Sequence, residues 1–391
     1  MLTSSGEGIN VDNYLTIEAN EDGLTASLSV NACEYCVDGN GNWKTLSAGT
    51  ATESINSGQT LSFRGNLTPN NSKNSKGIGT FTINKKCNLK GNCMSMLFGD
   101  NAADNYSLSD KGYAFYKLFY NCSNIVNVSS NFLSAIVLAN YCYYYMFQDC
   151  TSLKTAPALP ATTLANYCYQ NMFYGCKSLT TAPALPATTL ADRCYNSMFK
   201  GCTSLTTAPK LPATTLAGSC YQEMFYGCTS LTTAPALPAT KLADNCYEYM
   251  FQGCTSLKTA PALPATTLAD SCYSYMFYGC TSLTTAPSAL PSTSVWHNCY
   301  NSMFRGCTSL TTAPELPATT SLGRYCYQAM FMGCTSLNYI KCLATDISAT
   351  DCTSYWVSGV ASTGTFVKNP DMTSWPTGVS GIPTGWTVQD A

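Results

Sequence analysis

Residues 176–201 read CKSLTTAPALPATTLADRCYNSMFKG and residues 202–227 read CTSLTTAPKLPATTLAGSCYQEMFYG, nearly the same phrase twice in succession. Aligned on C[TK]SL, the phrase places cysteines at Cys150, Cys176, Cys202, Cys228, Cys254 and Cys280, 26 residues apart, then at Cys307 and Cys334 after one extra residue each, Ser288 and Ser321. A second column runs through Cys142, Cys168, Cys194, Cys220, Cys246, Cys272, Cys299 and Cys326, each followed by tyrosine and then by Met-Phe. A fixed period of this length marks a stacked array, in which one unit cannot bury its apolar side chains alone and neighbours complete the core. The pattern decays at both ends. YKLFYNC ending at Cys122 and CMSMLF starting at Cys93 read as leading turns, and CTSYWVSGV from Cys352 reads as a closing one, as end units with a single neighbour require.

Each unit divides into two halves. In LADRCYNSMFKGC, Leu190, Cys194, Met198 and Cys202 recur every fourth residue, which predicts a short helix closed by Gly201. In CTSLTTAPKLP, the threonines favour an extended strand, and Pro209 and Pro212 exclude a helix. Stacking such coils aligns the strands into a parallel sheet at ~4.8 Å per step, so ten or so coils span roughly 45 Å. The expected fold class is therefore an α/β repeat solenoid, leucine-rich-repeat-like, with a parallel sheet on one face and short helices on the other.

The recurring MFxGCTSL phrase with its leucine-rich extended segment resembles the BspA-like leucine-rich repeats, whose unit carries an AF-x-GC-x-x-L core; here Met-Phe replaces Ala-Phe and APALPATT lengthens the unit. The resemblance covers about residues 93–367. It implies a right-handed solenoid used in adhesion and ligand recognition, mostly at the surface of host-associated bacteria, with similar arrays in phages that infect gut anaerobes.

Residues 1–90 differ in texture. YLTIEA, LTASLSV, TLSFRG and GTFTIN alternate apolar and polar residues between turns such as DGNGNW and LTPNNSKNSKG, which predicts a small antiparallel β domain set against the first coil. The expected division is a β domain at 1–90, the solenoid at 91–367 and a cap or tail at 368–391.

Composition narrows the function. Only 11% of residues are charged and the net charge is -2, so there is no basic surface for nucleic acid. No apolar stretch is long enough to predict membrane insertion. The opening MLTSSGEGINVDNYL lacks a basic and apolar leader, which tilts the expectation from an exported adhesin towards a virion component such as a tail-associated receptor binder.

The 23 cysteines could be disulfides, metal ligands or buried thiols. Pairing within a column would make alternate coils inequivalent, whereas the sequence treats them alike, so buried thiols are favoured. Cys33 and Cys36 with Cys87 and Cys93 offer a zinc set in which only one pair has the usual two-residue gap. DGNGN at residues 38–42 begins like a calcium loop, but Trp43 stands where glycine is needed and Gly49 where a glutamate belongs, so a hairpin turn is favoured. His297, the only histidine, occupies a column filled elsewhere by Asp192 or Gly218 and reads as an exposed variant. No catalytic constellation appears; the chain is expected not to be an enzyme and to take no cofactor and no metal.

Surfaces remain. The tyrosine column from Tyr169 to Tyr327 could stack on sugar rings or pack on itself between coils, the commoner use. The threonines from Thr181 to Thr312 make a further ladder; ice binding and an ordinary strand face both fit, and the second is favoured. Tyr174, Lys200, Tyr226, Gln252, Tyr278, Arg305 and Met332 share one column and vary from coil to coil, which marks an exposed face; of these, Tyr174 through Arg305 are the candidate ligand-binding residues. The expectation is a recognition or adhesion protein for a surface glycan or protein, extracellular or on a virion, with homo-oligomer or virion assembly left open. The competing reading is a spacer or assembly scaffold without specificity of its own.

Overall fold

A computed structural model describes residues 8–72, 76–290 and 296–391. The first residues of the opening segment and the middle of LTPNNSKNSKG lie outside the described residues. The chain forms two compact units, residues 1–187 and 188–391.

In the first unit, alternating burial along Leu15–Ala19, Cys33–Val37 and Thr60–Arg64 puts one face of each strand in a core with Leu61 and Phe63 fully enclosed. The three pair antiparallel, Leu15–Ala19 beside Thr60–Arg64 and Thr60–Arg64 beside Cys33–Val37. Cys87–Lys90 joins the other edge of Leu15–Ala19 antiparallel and pairs on its far side, in parallel, with Ile125–Val128. Asn127 then bridges in parallel to Thr155. One sheet thus passes from antiparallel meander to parallel coil edge, and the first coil has its open edge covered.

The predicted helix in each coil is not what forms. Among the described residues, the only α-helix is Ser95–Phe98, in the leading CMSMLF segment. The Cys-Tyr…Met-Phe half is instead a run of turns with a left-handed residue every fourth position: Asn245, Tyr249 and Gly253 have φ of 56°, 57° and 71°. Backbone bonds alternate. Cys246, Glu248, Met250, Gln252 and Cys254 donate three residues back within the coil, while Asn245, Tyr247, Tyr249, Phe251 and Gly253 donate at 2.8–3.1 Å to carbonyls of the following coil, Asp270, Cys272, Ser274, Met276 and Tyr278. A helix would have kept every bond internal. The apolar spacing of four, read as one helical face, is the exact period of this turn repeat as well, and that coincidence is the physical reason for the correction.

The threonine half is extended but barely laddered. Thr207, Thr233, Thr259 and Thr285 form successive single parallel bridges rather than a continuous sheet. The prolines that follow lack the N–H needed to extend pairing. A full parallel sheet appears only near the end of the second unit, where Tyr339–Cys342, Thr365–Lys368 and Thr387–Asp390 run side by side.

Between the two halves lies the core. In the second unit, Tyr195, Tyr221, Tyr247, Tyr273, Tyr300 and Tyr327 are at most 1% exposed, and successive rings stack with centroids 5.7–5.9 Å apart. A parallel phenylalanine stack from Phe199 to Phe331 has spacings of 5.5–5.8 Å. At the closing turn Trp356 stands in the methionine column, stacks at 5.6 Å on Trp375 and donates its indole N–H to the Gly381 carbonyl at 2.8 Å.

Candidate functional site

The variable column lies immediately before the left-handed glycine of each coil, which tips its side chains to the rim of the turn wall. In the first unit Tyr174 is half-buried there, its carbonyl accepting the Asp149 N–H at 2.7 Å. In the second unit Lys200, Tyr226, Gln252, Tyr278, Arg305 and Met332 are all half-buried. They contact one another. The Lys200 ammonium sits 4.2 Å from the Tyr226 ring centroid, and the Gln252 amide donates to the Tyr226 hydroxyl at 3.3 Å. The Arg305 guanidinium lies 5.5 Å from the Tyr278 ring. Both tyrosines that meet a cation use the ring quadrupole to hold it.

A neighbouring column, not singled out from the sequence, belongs to the same face. Ser197, Glu223, Tyr249, Tyr275 and Ser302 occupy the left-handed position three residues earlier. Its variability between coils was the available signal; the assumed helix hid it, because a helix gives no reason for a left-handed position every fourth residue. Glu223 accepts from Lys200 Nζ at 2.9 Å and from the Ser197 hydroxyl at 2.7 Å. Tyr249 and Tyr275 stack at 4.7 Å. Burial raises the Glu248 carboxyl above its usual range, opposed by the Gln222 amide that donates to it at 2.6 Å. Burial, then the charge of Glu248, pushes the Tyr249 hydroxyl up to about 12.

The cysteine columns resolve into buried thiols. Cys228, Cys254, Cys280 and Cys307 each donate Sγ–H at 3.1 Å to the carbonyl of a phenylalanine one coil earlier, Phe199, Phe225, Phe251 and Phe277. The same carbonyls accept an N–H within their own coil, as at Phe225 from Cys228, so the thiol fills the second lone pair. Burial pushes the Cys122, Cys142, Cys254 and Cys334 thiols up to about 12, where the nucleophilic thiolate is scarce. Among the described residues no group of three or more His, Cys, Asp or Glu side chains could hold a metal ion.

The remaining candidates fall into structural places. The DGNGN turn joins Cys33–Val37 to Lys44–Leu46 as a hairpin, with the Asp38 carboxylate taken by the Thr60 N–H at 2.8 Å and the Gln59 amide at 2.7 Å. His297 is exposed and its Nδ1 accepts the Arg324 N–H at 3.1 Å. Asp192, Asp244 and Asp270 accept the N–H of Gly218, Asp270 and His297 in the same manner, so the histidine replaces a carboxylate in an inter-coil ladder. The ladder threonines are exposed. Among the described residues no helix is long and apolar enough to cross a membrane.

A family model for the BspA type leucine rich repeat region matches in six copies, over residues 113–258 and 218–353, more than half of the chain. No curated protein and no solved structure matches it.

Proposed function

Because the chain belongs to the BspA-type leucine-rich repeat family, a non-catalytic repeat scaffold commonly used at surfaces for protein interaction and adhesion, we propose that it is a recognition module whose variable turn-wall columns bind a surface glycan or protein. The single observation that carries this reading is where variation falls. Buried columns repeat Cys, Tyr, Met and Phe from coil to coil, while the half-buried positions at Lys200, Tyr226, Gln252, Tyr278 and Arg305 change chemistry at each step. Those positions present ring faces, amide and charge at one rim, the residue types that anchor interfaces at low entropic cost. The work takes place outside a cell, on a bacterial surface or on a virion whose receptor is such a glycan or protein.

The test is an array of capsular polysaccharides and mucin-type glycans, followed by pull-downs for protein ligands. The triple variant Tyr174→Ala, Tyr226→Ala, Tyr278→Ala is the control. Saturable binding that the variant loses supports the recognition reading. Binding unchanged in the variant, or no ligand in either format, overturns it in favour of a spacer.

A further inference from the structure

A second surface lies in the first unit, where the leading coils replace the usual turn-wall residues by tyrosine. Tyr113, Tyr141 and Tyr167 hold the left-handed position in successive coils, and their half-buried rings stack at 4.6 and 4.5 Å. Beside them Tyr144 and Tyr145 share a hydroxyl–hydroxyl bond of 2.9 Å, and Tyr116 meets both rings within 6.1 Å. Two lysines complete the patch. Lys76 Nζ is 4.5 Å from the Tyr113 ring centroid and 3.3 Å from its hydroxyl. Lys117 Nζ is 4.7 Å from Tyr120 and 5.4 Å from both Tyr116 and Tyr145.

The charge is unbalanced. Among the described residues neither Lys76 nor Lys117 has a carboxylate within ion-pair distance, although both are half-buried; Lys111 pairs with Asp110, and Asp149 accepts from the Gln148 amide. Ring quadrupoles hold an ammonium but do not neutralise it. An anion brought to this patch would therefore meet two desolvated, preorganised cations and a charge-assisted bond from each. The backbone here is already spent, since Tyr113, Phe115 and Lys117 donate to Asn140, Cys142 and Tyr144 of the next coil, which leaves no edge for a peptide to extend as a strand. What remains for a ligand is aromatic carbon for the C–H face of a pyranose, phenol hydroxyls for its hydroxyls, and ammonium for an acidic substituent.

We infer that this tyrosine–lysine patch is a binding site for an acidic polysaccharide, a sugar chain carrying carboxylate or sulfate groups. The inference goes beyond the recognition reading, because it names a ligand chemistry for residues outside the variable columns.

The test titrates the full chain by calorimetry with polygalacturonate, dextran sulfate, unsubstituted dextran and polyglutamate, using the wild type and the Lys76→Gln, Lys117→Gln double variant. Thermal unfolding of the variant is expected to match wild type, since neither lysine makes an ion pair. Expected is saturable binding of at least one acidic polysaccharide, tenfold or more tighter than dextran and polyglutamate, weakened tenfold or more in the double variant and by added salt. Which of the two binds distinguishes carboxylate from sulfate. Failure of both, equal binding of dextran, polyglutamate binding as tightly, or an unaffected double variant overturns the inference. The Tyr174→Ala, Tyr226→Ala, Tyr278→Ala variant separates the two proposals: it keeps acidic-polysaccharide binding if the patch is the site, and the array ligand can fail or persist independently.

Discussion

The two walls of each coil in the second unit satisfy their backbones in opposite ways. The turn wall alternates one bond inward and one bond across to the next coil over the whole of residues 245–254. The threonine wall makes isolated bridges, with Ala260 N–H on Thr285 at 2.9 Å and Thr284 N–H on Lys258 at 3.0 Å, and then hands the chain to prolines. Cysteine, tyrosine, methionine and phenylalanine sit on the densely bonded side, whereas the opposite side exposes its hydroxyls. The contrast teaches that the coil is held by its turn wall, and that the threonine wall is a surface spacing the turns.

The largest effect expected from that asymmetry is alkaline unfolding. Folded-state pKa values near 12 for Cys122, Cys142, Cys254 and Cys334 exceed the ~8.5 of an unfolded thiol. Above pH ~8.5 the unfolded chain sheds protons that the folded one keeps, so stability is complete below that pH and falls by about 1.4 kcal/mol per pH unit for each such thiol as pH rises towards 12. Far-ultraviolet circular dichroism against pH should show a steep, many-proton transition in this window; a broad shallow one would remove the thiols from the core.

Next comes a direct contrast between walls. Phe251→Ala in the stacked column should cost about 3–5 kcal/mol in denaturant unfolding, and Thr259→Ala on the exposed ladder less than about 1 kcal/mol. Comparable losses would mean that both walls carry the fold. A finer probe is backbone handedness. Gly253 has φ of 71° and a Cβ there would meet only Gly227 atoms at ordinary distances of 3.8–3.9 Å, so Gly253→Ala should cost about 1–2 kcal/mol through conformation alone, while Asn245→Gly at φ 56° should cost little. The smallest change is in the carboxylate ladder: His297→Ala should lose about 0.5–1.5 kcal/mol with the acceptor of the Arg324 N–H, and His297→Asp should restore it.

Much of this was legible in the residues themselves. The strands of the first unit fall where YLTIEA, TLSFRG and GTFTIN alternate, observed as Leu15–Ala19, Thr60–Arg64 and Phe81–Ile83. The DGNGN segment was readable as a hairpin because its later positions fail the calcium pattern. The candidate face was half legible: variation pointed to Tyr226 and Tyr278, but Glu223 and Tyr249 come beside them only through the turn geometry. The tyrosine–lysine patch was not legible, since Lys76 is distant in sequence from Tyr113 and reaches it through the pairing of Asn70–Asn71 with Lys76–Gly77 and the packing of that hairpin on the first coil.

Period, column identity and the division of each coil were determined by sequence alone, because a 26-residue repeat forces equivalent residues into equivalent environments whatever the backbone does between them. Tertiary structure alone decided the backbone path. Spacing of four suits a helix and a turn repeat equally, and the choice rests on whether an N–H at Asn245 or Tyr249 finds a carbonyl in the next coil. That partner exists only once the coils have stacked, and with it come the left-handed residues, the second variable column and the thiol bonds to the preceding coil.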